Sequence, residues 1–114
     1  MIVVYIAGPF RASNAWEIEQ NIRRAEEDAL EVWKLGAAAL CPHTNTRFFQ
    51  GAAEDELWLR GDLEMLGRCD AVLMVYGWQV STGATAEREH ALKKGIPVVY
   101  SLEELKCLLV TLVR

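Results

Sequence analysis

The chain has 114 residues, 52% of them apolar and 25% charged, with a formal net charge of −4. That length suits one domain with a real core and leaves no room for a second, and the composition is that of a folded protein rather than a disordered one. The negative charge, with Lys and Arg scattered along the chain, argues against a nucleic-acid polymer as partner. It leaves a mononucleotide open, because one phosphate needs only a few placed donors.

In chain order, Ile2 to Ala7 is a β-branched and aromatic run closed by Gly8-Pro9, which predicts a buried strand entering a turn. Ser13 or Asn14 then caps a long helix through Leu35. Trp16, Ile18, Ile22, Ala25, Ala29, Val32 and Trp33 recur at helical spacing, and Gly36 is the stop. Ala37 to Cys41 predicts a second buried strand ended by Pro42, with a polar loop from His43 to about Gly51. A helix follows from Glu54 to about Arg68 despite Gly61, its apolar stripe made of Leu57, Leu59, Leu63 and Leu66. Asp70 to Tyr76 is the clearest strand. Ser81-Thr82-Gly83 opens a helix from about Ala84 to Lys94, Gly95 ends it, Pro97 to Tyr100 is a fourth strand, and a last helix starts at Leu102.

Strands alternating with helices imply a parallel sheet covered on both faces and joined by right-handed crossovers. The expected architecture is a single three-layer α/β domain over residues 1–114, flavodoxin-like or Rossmann-like, with about four strands in the order 2-1-3-4. Ligands of such sheets bind beyond the carboxyl ends of the strands where the order reverses, here at the loops Gly8 to Ser13 and Gly77 to Gly83.

Chemistry-bearing residues gather at that edge. Glu87 falls near the start of a helix that follows a strand, where backbone N–H groups and the helix dipole are expected to keep its carboxylate ionised. An ionised carboxylate is what attack on an anomeric carbon requires; the plainer reading is a solvated Glu complementing the dipole. Glu89, two residues on, points elsewhere and is taken as surface. Asp62 beside Gly61 has poor helix propensity, a misfit that fits either a cleft residue or an exposed Asp. Gly8 would let a ligand approach the backbone, and Arg11 with Ser13 offers a guanidinium fork and a hydroxyl near a helix start, a workable phosphate site or an ordinary turn and cap. Neither a G-x-G-x-x-G fingerprint nor a P-loop is present. His43 is a candidate for contacting a base or phosphate. The three cysteines, Cys41, Cys69 and Cys107, lack C-x-x-C spacing and are expected to be buried, reduced thiols, with no metal site. No run approaches the ~18 apolar residues of a membrane helix, and the start Met-Ile-Val-Val-Tyr has no basic signal-peptide region. The expected location is the cytoplasm.

Three sets of residues in this order and spacing carry a family resemblance. They are Tyr5-Ile6-Ala7-Gly8-Pro9-Phe10, Asp62 eight residues before Asp70, and Ser81-x-Gly83-x-x-x-Glu87-x-x-x-Ala91 leading to Gly95-Ile96-Pro97-Val98. Together they resemble the nucleoside 2-deoxyribosyltransferase-like superfamily over nearly the whole chain, including its small phage and bacterial domains and its 2'-deoxynucleoside 5'-monophosphate N-glycosidase branch. The resemblance implies that Glu87 is a nucleophile forming a glycosyl-enzyme intermediate, that Asp62 assists protonation of the leaving base and that Tyr5 orients the nucleophile. It implies no cofactor. It also places Gly8, Pro9, Phe10, Arg11, Ser13, His43, Trp78, Ser81 and Gly83 around the substrate. Ser at position 81, where nucleoside transferases carry an acidic residue, and Arg at position 11 point to a 5'-monophosphate and to water as acceptor, with a nucleoside and transfer to a second base as the other reading. Trp78 either stacks on a base or packs, and the C-terminal run Leu108 to Arg114 contains no recognisable base-reading tail.

The family's habit of assembling, with four tryptophans in so short a chain, leads to an expected homodimer or larger homo-oligomer in which Trp16, Trp33 and Trp58 supply aromatic surface. The competing readings are a non-catalytic nucleotide-binding module, acting as sensor or sponge, and a flavodoxin-like interaction domain without a ligand.

Overall fold

A computed structural model describes residues 1–112; Val113 and Arg114, the end of the C-terminal apolar run, lie outside the described residues. Four strands, β1 (Val3–Ala7), β2 (Ala38–Leu40), β3 (Ala71–Met74) and β4 (Val98–Val99), form one parallel sheet in the order β2-β1-β3-β4, as expected. Tyr5 pairs with Leu40 on one side and Val72 on the other, which puts β1 in the centre. Asp70 reinforces the start of that pairing, because its carboxylate accepts the Val3 N–H at 2.8 Å.

The strands are apolar throughout because both faces are covered, and the pleat deals alternate residues to two separate cores. Val4 and Ile6 with Ala71, Leu73 and Val75 face α1 (Ala15–Lys34) and α5 (Leu102–Leu112). Tyr5 and Ala7 with Val72 and Met74 face the other layer, α3 (Asp55–Leu66) and α4 (Thr82–Lys93). The face of α1 that is buried runs Ile22, Ala25, Ala29, Val32, so Trp16 at 73% and Trp33 at 53% exposure lie outside it, although the spacing grouped them with it. Asn14 rather than Ser13 is the cap, accepting the Glu17 N–H at 2.9 Å.

Other boundaries shift for local reasons. Pro42 does not lead directly into a loop: it opens the short helix α2 (Pro42–Asn45), where its missing N–H costs nothing because a first-turn donor is unpaired anyway. Ser81 caps α4 through Oγ, so that helix starts at Thr82 rather than Ala84. In α3 only Leu66 of the expected stripe is fully buried; Leu57 and Leu59 are about half exposed. Cys41 and Cys69 are buried, but Cys107 is exposed, because α5 turns Leu105 to the sheet and Cys107 two residues on points away. Among the described residues no helix is long and apolar enough to cross a membrane.

Gly8 has a structural reason to be glycine: a Cβ there would sit 2.7 Å from Val75 Cβ, so the backbone after β1 comes into direct contact with the residue after β3. Packing within the fold thus accounts for glycine at position 8 without any reference to a ligand. Gly8→Ala is expected to destabilise the protein by about 1–3 kcal/mol through overpacking, measured as a lower urea midpoint with unchanged slope.

Candidate active site

Tyr5 stands in the middle of β1, fully buried, and its hydroxyl donates a hydrogen bond to Glu87 Oε2 across 82 residues of sequence. The reason Glu87 lies there is legible on α4. Ala84, Glu87 and Ala91 follow one another at steps of three and four, and these are the buried residues of that helix. The two alanines let the helix approach the sheet closely, and Glu87, only 8% exposed, is carried into the interface between them. Asp62 comes from the neighbouring helix α3 and is partly buried. The structure therefore brings Tyr5, Asp62 and Glu87 together on one face of the sheet.

Burial sets the protonation of this group. Desolvation pushes Glu87 up to about 8; the Tyr5 hydrogen bond works against the shift and the Asp62 charge adds to it. The expectation of a carboxylate kept ionised by helix N–H groups is corrected here, since Glu87 lies beyond the first turn of α4 and loses more hydration than Tyr5 returns. Asp62 is raised to about 6, again by burial. Tyr5 is pushed well above its ordinary value by its own burial and by the two carboxyl groups, so it remains a hydrogen-bond donor. Two carboxyl groups separated in this way hold one proton between them near neutral pH.

The remaining expected site residues fall into groups. The loops after β1 and β3 touch, with the Cβ position of Gly77 lying 3.5 Å from Pro9 Cγ, so both border the carboxyl edge of the sheet as expected from the topology. His43 is buried, and its Nε2 hydrogen-bonds the Pro9 carbonyl at 2.8 Å while Phe10 packs edge-on against its ring. Burial holds the imidazole below its ordinary value, so it is neutral, and its Nε2 is committed to the Gly8–Arg11 loop instead of facing a ligand. Arg11 is exposed and ion-paired with Asp55, and the Ser13 hydroxyl donates to Glu17 at 2.9 Å. Ser81 Oγ accepts the Ala84 N–H, and Gly83 is exposed beside it in the first turn of α4. Trp78 lies in a 3-10 turn (Trp78–Val80) and packs on Tyr100 at 5.6 Å between ring centres. The Arg88 guanidinium sits 5.3 Å from the Trp78 ring centre, and its Nε donates to Tyr100 Oη at 2.8 Å.

Two neighbours of the site were not singled out as site residues in the sequence, Trp58 having been expected only to supply aromatic surface. Arg88 ties the Trp78 turn to Tyr100 next to Glu87; its signal, a lone Arg on a helix, is too common to read. Trp58 lies one helical turn before Asp62 against Phe49, and its buried indole N–H has no hydrogen-bond partner among the described residues. The i, i+4 spacing of Trp58 and Asp62 was the available clue. Among the described residues no cluster of three His, Cys, Asp or Glu side chains is placed to hold a metal ion.

The profile of a domain of unknown function (DUF7768) matches residues 2–101. No curated protein matches the chain. Among solved structures, a 2-deoxyribosyltransferase from the psychrotolerant bacterium Bacillus psychrosaccharolyticus, described as a biocatalyst for nucleoside synthesis, is similar with a TM-score of 0.61 and 22% identity, over 84% of this chain and 69% of that one. At that identity the likeness establishes the fold.

The raised Glu87 value has a consequence for stability. An unfolded Glu ionises near 4.5, whereas the folded one keeps its proton to about 8, so its contribution is fully present below 4.5 and is lost as pH rises to 8. Across that window stability is expected to fall with a slope approaching about 1.4 kcal/mol per pH unit from this residue. Glu87→Gln removes that slope and unfolds later than the parent at pH 8, as measured by urea titration of both proteins at several pH values.

Proposed function

We propose that this chain, which belongs to the family of the domain of unknown function DUF7768, is a cytoplasmic enzyme. In this reading it cleaves the N-glycosidic bond of a nucleoside 5'-monophosphate or nucleoside through a covalent glycosyl–Glu87 intermediate. The observation that carries the reading is the buried Glu87 held by the Tyr5 hydroxyl beside a second raised carboxyl, Asp62. The fold shared with a 2-deoxyribosyltransferase supports sugar-transfer chemistry at that place.

Tyr5 occupies Oε2 and so leaves Oε1 of Glu87 to attack C1'. As the C1'–N bond breaks, its electron pair leaves with the base, which takes a proton from Asp62, and the sugar becomes esterified to Glu87. The single proton of the pair must therefore sit on Asp62 in the reactive state. The positive charge developing on the sugar favours that distribution, because it stabilises an ionised Glu87. Water, deprotonated by Asp62, then attacks C1', releases the sugar and restores both carboxyl groups. A second base in place of water completes a transfer instead, the reading favoured by the activity of the structural neighbour.

For a 5'-phosphate, Ser81 keeps its O–H proton to donate after accepting the Ala84 N–H, and Arg11 reaches the phosphate by leaving Asp55. The proposed assembly is a homodimer or larger homo-oligomer that covers Trp16 and Trp33.

Incubation with ribo- and deoxyribonucleosides and their 5'-monophosphates, with and without a free second base, is expected to release or exchange base, read by chromatography. Asp62→Asn lowers the rate by about 10² to 10⁴, and Glu87→Ala, folded by circular dichroism, abolishes it. The pH profile of kcat/KM is bell-shaped with limbs near 6 and 8. Binding without turnover, equal in the parent and in Glu87→Ala, replaces the enzyme by a nucleotide-binding module.

A further inference from the structure

Away from the Tyr5–Glu87 pair, the C-terminal halves of α3 and α4 enclose an open depression of about 260 Å3. Both helices run back toward the amino ends of the strands, so this depression lies at the edge of the sheet opposite the Gly8 and Ser81 loops. Its ionisable lining is Arg60, Arg68, His90 and Lys94 against one carboxylate, Glu64. That carboxylate is already matched, because Arg68 grips Glu64 Oε2 through Nε at 3.0 Å and Nη2 at 2.9 Å. Arg60 and Lys94 have no carboxylate within ion-pair distance among the described residues. In a chain of net charge −4, unpaired cations converging on one concavity run against the overall composition.

Complementing the helix dipoles explains part of this lining and not all of it. Arg68 and Lys94 follow the last turns of α3 and α4, where a cation is favourable. Arg60 stands in the middle of α3, outside the last turn in which the dipole acts. The Lys94 stem is also laid down rather than free: its Cδ and Cε pass 3.4 Å from where a Cβ on Gly67 would be. Cations gathered in a concavity reinforce one another's field, and a guanidinium fork beside an ammonium suits tetrahedral phosphate oxygens. The volume is several times the about 30 Å3 taken up by a water molecule, which leaves room for an organic group on the phosphate.

We propose that this depression is a second binding site, separate from the Tyr5–Glu87 centre, which takes the phosphate of a small phosphorylated molecule between Arg60 and Lys94 with His90 alongside. It is independent of the reaction proposed above and is tested without measuring that reaction.

The isotope-labelled full chain would be titrated with inorganic phosphate and then with a nucleoside 5'-monophosphate, at ionic strength held constant with sodium chloride. The amide resonances of Leu63, Gly67 and His90 report binding. Saturable shifts are expected at these positions, tighter for the monophosphate than for inorganic phosphate. They are expected to persist in Glu87→Gln and to weaken about tenfold or more in the double variant Arg60→Gln/Lys94→Gln. Arg60→Gln alone, which disturbs the fold less, gives a smaller loss. Shifts that chloride reproduces, saturable shifts indifferent to both replacements, or shifts confined to the Ser81 loop would each overturn the site. Equal affinity for the two phosphates would overturn the room assigned to an organic group.

Discussion

The hydrogen bond from Tyr5 to Glu87 joins the centre of the sheet to the helix packed over it, and much of the molecule is arranged so that this bond can form. A carboxyl group taken out of water loses several kcal/mol of hydration unless it is neutralised or well bonded. Here the loss is met in two ways, by a phenol that donates and by a proton retained to about pH 8. The stripe of Ala84, Glu87 and Ala91 brings α4 close enough for the bond, and Tyr5, on the central strand β1, is fully buried. A buried acid next to a second half-buried acid is a costly arrangement for a structure with no chemistry to perform. That cost is the physical argument for regarding the pair as a reactive centre.

Around this bond the loops are held by contacts that have little to do with regular structure. His43, from the short helix after β2, bonds the Pro9 carbonyl, and Asn21 of α1 donates to the Phe10 carbonyl at 3.1 Å, so the turn after β1 is fixed from two sides. The turn after β3 is fixed by Arg88, whose guanidinium lies over Trp78 and reaches Tyr100. Rigid loops on a rigid sheet edge are what precise placement of a sugar and a base would need. The same clamps show that residues conspicuous in the sequence can serve the scaffold rather than the ligand, His43 being the plainest case.

The α3–α4 layer carries two separate groups of ionisable residues. Glu87 and Asp62 meet Tyr5 over the middle of the sheet, whereas Arg60, Arg68, His90 and Lys94 line the depression between the two helices. Arg60 and Asp62 stand two residues apart on α3 and so point to different faces of that helix, Asp62 joining the acid pair and Arg60 the basic lining.

The sequence by itself determined the layer architecture. Alternating apolar runs and helical stripes, punctuated by Gly36, Pro42 and Gly95, admit little besides a parallel α/β sheet, and the order 2-1-3-4 is the one expected of a flavodoxin-like or Rossmann-like domain. It also brought Asp62 to attention through its poor helix propensity, Glu87 through its place near the start of a helix that follows a strand, and Tyr5 through the family resemblance. Tertiary structure alone decided the rest. Hydrogen bonding between residues 82 positions apart cannot be read from spacing, and the proton on Glu87 depends on how much water the packed sheet and helix exclude. The depth of α4 against the sheet, the capture of His43 by Pro9 and the exposure of Cys107 on the outer side of α5 are likewise properties of packing. Local sequence carries periodicity and propensity, but solvation and contact are set by residues brought together from the whole chain.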